Sequence, residues 1–80
     1  MQEEVYDVIE ATVESDEFRD DPAMDLFEEG LLDSMGAMML IVALEEKFDV
    51  SLPPSEMERD DWNTAEKIAL RIKEKLDEKA

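Results

Sequence analysis

Eighty residues, 44% of them apolar, with twenty-four acids against eight bases, read as one small domain spanning 1–80 with a formal net charge of −16. A core of that size supports roughly 3–5 kcal/mol of stability. The absence of Cys and His excludes a disulfide staple, a Cys/His metal cluster and the usual base for a serine nucleophile.

The charge is uneven. Residues 1–46 hold fifteen acids and one base, Arg19, for a net of −14, whereas residues 47–80 hold nine acids and seven bases, for a net of −2. Nucleic acid and anionic membranes are therefore poor partners for the first half, and proteins with basic patches are good ones. No apolar stretch approaches the roughly 20 residues that cross a bilayer, so direct membrane insertion is not expected. Met1-Gln2-Glu3-Glu4 lacks the basic segment of a secretory signal. A cytoplasmic protein is the expectation.

Four helical patterns run along the chain, with no strand pattern. The first covers Gln2 to Glu14, with Val5, Ile9, Thr12 and Val13 on one face and Val8 beside them. Glu3, Glu4 and Asp7 lie near its start, where the helix dipole favours negative charge. Ser15-Asp16 ends it.

Residues 15–33 form a long connection. Its apolar residues, Phe18, Met24, Leu26, Phe27, Leu31 and Leu32, predict that it packs on the core rather than hanging as a linker. Pro22 breaks helix, and Gly30 permits a turn.

The second pattern starts at Asp33 or Ser34, both of them N-cap residues, and reaches Phe48. At about 100° per residue, Ala37, Leu40, Ile41, Leu44 and Phe48 share the core arc. Met35, Met38, Met39 and Val42 fall outside it. Two readings compete for this surplus. The helix is buried all round with Met as filler, or the second face is exposed and docks partners, a use to which methionine is suited. Glu45, Glu46 and the adjoining serine favour the second.

A short third element is expected after Pro53-Pro54, from a cap at Ser55 through Arg59, followed by Trp62 as a core or lid side chain. The fourth pattern runs from Thr64 to Asp77. Asn63 with Glu66 reads as a capping-box variant, and Ala65, Ile68, Ala69, Ile72 and Leu76 form the packed face. The fold class is all-α: a small four-helix bundle of three longer helices and one short one, with a long loop between helices one and two.

Catalytic motifs are missing. The acid runs lack the glycine and Asp/Asn alternation of a calcium loop, neither glycine is followed by Lys in phosphate-loop spacing, and there is no Gly-x-Ser-x-Gly elbow. No metal site is expected. Ser34, set between an acidic loop and a long apolar helix, is better read as the substrate of another enzyme than as a catalyst. The chain itself is not expected to be an enzyme.

The stretch Leu26-Phe27-Glu28-Glu29-Gly30-Leu31-Leu32-Asp33-Ser34-Met35-Gly36, together with Ser55-Glu56-Met57-Glu58-Arg59-Asp60-Asp61-Trp62-Asn63-Thr64, resembles the acyl carrier protein family. Within that family it is most similar to the D-alanyl carriers of teichoic-acid D-alanylation. Fatty-acid carriers typically show Asp-Ser-Leu-Asp at the site and an acid at the position of Met39. Met35, Gly36 and Met39 depart from that pattern.

The resemblance implies that Ser34 carries 4′-phosphopantetheine, transferred from CoA by a phosphopantetheinyl transferase. It implies that an ATP-dependent D-alanine ligase loads the arm as a thioester. A membrane O-acyltransferase system then takes the D-alanyl group toward cell-wall teichoic acid. The expected partner-binding residues are Asp33, Met35, Gly36, Met38, Met39, Val42 and Glu46, on a monomer that binds no nucleic acid. A carrier for fatty-acid, polyketide or peptide synthesis is the near alternative. An acidic helical adaptor in which Ser34 is only an N-cap is the distant one.

Overall fold

The computed structural model describes residues 2–53 and 58–79. Among them the fold is all-helical, with three α-helices and no strand: α1 (Gln2–Val13), α2 (Ser34–Phe48) and α3 (Ala65–Lys79). Single 3₁₀ turns, Glu17–Arg19 and Arg59–Asp61, sit in the connections. The short helix expected after Pro53-Pro54 falls mainly on residues 54–57, outside the described ones. What is described on that connection is the turn Arg59–Asp61.

α1 packs on both α2 and α3, which touch each other least. Its buried face is Val5, Tyr6 and Ile9, with Val8 and Val13 partly buried against the core. It stops at Glu14, whose φ of 58° is left-handed and costly for a side chain with Cβ. α3 buries Ala65, Ile68, Ala69 and Ile72, as its spacing predicts, with Leu76 partly buried beside them. Trp62 is also core.

The cap of α3 differs from expectation. Thr64 Oγ1 accepts the Lys67 N–H at 3.1 Å and is the residue that caps. Asn63 is occupied elsewhere: its Nδ2 donates to Asp25 Oδ2 at 2.9 Å, and its carbonyl accepts the Leu26 N–H at 2.7 Å. Asp25 Oδ1 also accepts the N–H groups of Phe27 and Glu28, closing its own turn. The Glu66 N–H donates to the Pro22 carbonyl. The long connection is thereby tied to the start of α3.

Apolar side chains complete the attachment. Phe18 and Leu26 are fully buried and Leu32 nearly so, with Met24, Phe27 and Leu31 packed beside them. Tyr6 and Phe18 meet edge to face, 5.5 Å between ring centroids. Arg19 lies over both rings and binds Glu10, Asp7 and Glu3 of α1 at 2.8, 2.7 and 3.2 Å. The hydrogen bonds it donates to Glu10 first, then Asp7, hold its guanidinium charged above the ordinary arginine range. The one base of the acidic half is thus spent inside the fold.

Candidate functional site

α2 begins where the connection ends. Leu32 is buried, which fixes the chain just before the helix, and Asp33 follows in extended conformation as the N-cap. Its Oδ1 accepts the Gly36 N–H at 2.7 Å, and its carbonyl accepts the Ala37 N–H at 2.7 Å. Of the two cap candidates, Asp33 does the capping. Ser34 is the first helical residue and is exposed. Among the described residues its Oγ has no hydrogen-bond partner, so the hydroxyl is free to be substituted.

Gly36 belongs to this geometry. A Cβ there would lie 3.2 Å from Asp33 Oδ1 and 3.3 Å from Leu32 Cδ1, so the missing side chain makes room for the cap and for the buried leucine. From sequence, Gly36 is expected among the partner-binding residues; its part in the cap comes from the fold.

The second face of α2 is exposed. Met35 is 74%, Met38 67%, Met39 62% and Val42 51% accessible, while Leu40 and Leu44 on the opposite face are buried. The alternative of a helix buried all round is overturned. Met35, Met39, Val42 and Glu46 follow one another at intervals of four, three and four residues, so all lie on one stripe with Met38 at its edge. Ser34 and Met38 are themselves four apart, which sets the serine at the end of that stripe. Glu46 is exposed. Glu45 turns inward instead: its Oε2 accepts the Leu52 N–H at 2.8 Å beyond the helix end. It serves the fold and leaves Glu46 as the acid of the stripe.

An open groove of about 660 Å³ borders Met39, lined also by Val8, Ala11 and Ala43. A larger groove, about 880 Å³, lies elsewhere, among Tyr6, Pro22, Asn63 and Leu70. None of the residues predicted for the site lines it. Leu70, exposed on α3, was not anticipated, because helical spacing places it off the core face without saying what surrounds it.

A free primary hydroxyl at a helix start suits a phosphodiester. The helix dipole and the first N–H groups of α2 favour an anion there, and the Asp33 carboxylate is turned to Gly36 rather than left as an unpaired charge. The model of the family described as "Phosphopantetheine attachment site" matches residues 3–72.

The chain belongs to the phosphopantetheine-attachment family. Members carry the prosthetic arm and are acted on by other enzymes. The free Ser34 hydroxyl and the helix start fit such a group. The chain is 65% identical to a D-alanyl carrier protein of Lactococcus lactis subsp. cremoris (strain MG1363), covering 98% of this chain and 99% of that protein. It is 40% identical to a D-alanyl carrier protein of Bacillus subtilis (strain 168), covering 92% and 95%. It is also 40% identical to one of Listeria monocytogenes serovar 1/2a (strain ATCC BAA-679 / EGD-e), covering 90% and 92%. Among the described residues no helix is long and apolar enough to cross a membrane, and no acidic cluster is arranged to hold a metal ion.

Proposed function

We propose that this phosphopantetheine-attachment chain is a D-alanyl carrier that takes its arm on Ser34. The observation that carries this reading is the free, exposed Ser34 hydroxyl directly after a capping Asp33, in a chain 65% identical over nearly its whole length to a D-alanyl carrier protein. When bound, the arm supplies a thiol that the Cys-free chain lacks. The chain presents the hydroxyl, steadies the helix start beneath it and offers a face to the enzymes that act there.

That face is Met35, Met38, Met39 and Val42, with Glu46 at its far end and Asp33 and Gly36 at its near end. The enzymes it meets are a phosphopantetheinyl transferase, an ATP-dependent D-alanine ligase and a membrane O-acyltransferase. The chain works as a monomeric cytoplasmic shuttle whose single domain spans 1–80. The adaptor reading needed Ser34 as the cap, and Asp33 fills that role.

Incubation with CoA and a promiscuous transferase tests the attachment. One phosphopantetheine mass is expected on the parent chain and none on Ser34→Ala. Offering the ligase system a panel of amino acids and fatty acids then tests the cargo. Persistent modification of the alanine variant would remove Ser34 from the reading, and preference for a fatty acid would remove D-alanine.

A further inference from the structure

Three of the side chains on the α2 stripe are methionines, Met35, Met38 and Met39, and these residues are 74, 67 and 62% exposed. Met24, in contrast, is packed against the core. The chain has no thiol of its own to draw an oxidant away. Exposed thioethers are then the protein groups most open to a two-electron oxidant, and the product is polar and enzymatically reversible.

We propose that Met35, Met38 and Met39 form an oxidation site, and that their sulfoxides stop the α2 face from docking the enzymes that load the chain. The oxidant is a peroxide. A sulfur lone pair attacks one peroxide oxygen, the O–O bond breaks and an S–O bond forms; the transferred oxygen gives its proton to the departing hydroxide, which leaves as water. Sulfur loses two electrons and peroxide gains them. Because these side chains are already mostly exposed, the added oxygen stays hydrated in the free chain and leaves folding unchanged. In a docked complex the same oxygen is stripped of water against an apolar surface. The loss therefore falls on docking alone. This second step rests on the reading of the stripe as the docking face.

The test treats the full-length chain with hydrogen peroxide before any arm is attached, removes the oxidant, and maps oxygen by peptide mass. Oxygen is expected on Met35, Met38 and Met39 before Met24, with helical circular dichroism and denaturant midpoint unchanged. Oxidation of Met24 at the same rate would overturn the site, and this measurement needs no partner. The oxidised chain is then pantetheinylated to completion, checked by mass, and loaded with D-alanine. The ligase's kcat/KM is expected to fall roughly tenfold or more, as an unpaired polar group in an apolar contact implies. Methionine sulfoxide reductases should restore it. A chain with Met35→Leu, Met38→Leu and Met39→Leu, whatever its starting rate, should keep that rate after peroxide.

Unchanged loading of the trisulfoxide would overturn the switch, as would an equal loss in the leucine chain. Val42→Asp, which has no sulfur, separates the two readings. If it slows loading while sulfoxides do not, the docking face stands and the switch falls. If neither slows loading, the docking face falls as well.

Discussion

Asp25 and Asn63 are joined side chain to side chain across 38 residues of sequence, by an Nδ2–H donated to Oδ2 at 2.9 Å. The bond ties the connection that delivers Asp33 and Ser34 to the residues just before α3. The partners are unequal. Asp25 also accepts two backbone N–H groups within its own turn, and the Asn63 carbonyl keeps the Leu26 N–H whatever its side chain is. Asp25→Ala should therefore cost more than Asn63→Ala, about 1–3 against about 0.5–1.5 kcal/mol in urea melts. A double-mutant cycle should recover a favourable coupling between them.

The helix start separates stability from function. Asp33→Ala removes the Gly36 cap and should lower stability by about 0.5–2 kcal/mol, with Asp33→Ser recovering most of it. Ser34→Ala, one residue on, caps nothing and should stay within about 0.5 kcal/mol of the parent. Denaturant midpoints check both. Only Ser34→Ala is expected to abolish attachment while leaving the melt in place.

Arg19 holds three carboxylates of α1 together. Arg19→Gln leaves Glu3, Asp7 and Glu10 facing one another in a chain of net charge −16. The melting temperature should drop at low ionic strength and climb more steeply with added salt or Mg²⁺ than the parent's, which should itself rise. Equal salt slopes in the two chains would show that the cluster is already screened by water.

Tyr6 sets an alkaline limit. Burial first, then the charges of Glu66 and Glu3, raise its phenol above the ordinary value of 10.0. The folded chain thus holds this proton more tightly than the unfolded one. Stability from Tyr6 is fully present below pH 10.0 and is lost as pH rises from there through the folded pKa. Tyr6 is the single tyrosine, so ultraviolet titration reports it alone. Tyr6→Phe should flatten the fall of the denaturant midpoint in that window.

The two faces of α2 should answer substitution in opposite ways. Met39→Asp and Val42→Asp are exposed changes and should cost within about 0.5 kcal/mol, while slowing loading by the ligase. Leu44 is fully buried, and Leu44→Ala should destabilise by about 2–5 kcal/mol. Thermal melts beside loading rates separate the two.

Much of this was legible because helical period and cap chemistry are local. The core arc of α2 was readable from Leu40 and Leu44, and the exposed stripe from apolar residues left over once that arc was full. Asp33 was a cap by type. What escaped was decided by distant partners. Asn63 and Thr64 are adjacent and both able to cap, but Asp25 takes the Asn63 Nδ2–H and Lys67 Nζ donates to the Asn63 Oδ1, so Thr64 caps. Glu45 looks like surface acid until the Leu52 N–H returns to it from beyond the helix end. Tyr6 stood off the expected stripe, and Phe18 from the connection is what covers it. Glu14 ends α1 in a conformation that glycine would have announced.

The stripe on α2 is short. From Met35 to Val42 it rises roughly 10 Å along the helix. A typical protein contact covers about 800 Å² of each partner, a large share of a molecule whose whole accessible surface is 5021 Å². On the proposed docking face two enzymes cannot sit together, so visitors to Ser34 would have to queue. Each has to leave before the next arrives, and the traffic through the chain is then governed by departure rates. Tighter binding to any one visitor would slow the line for the rest.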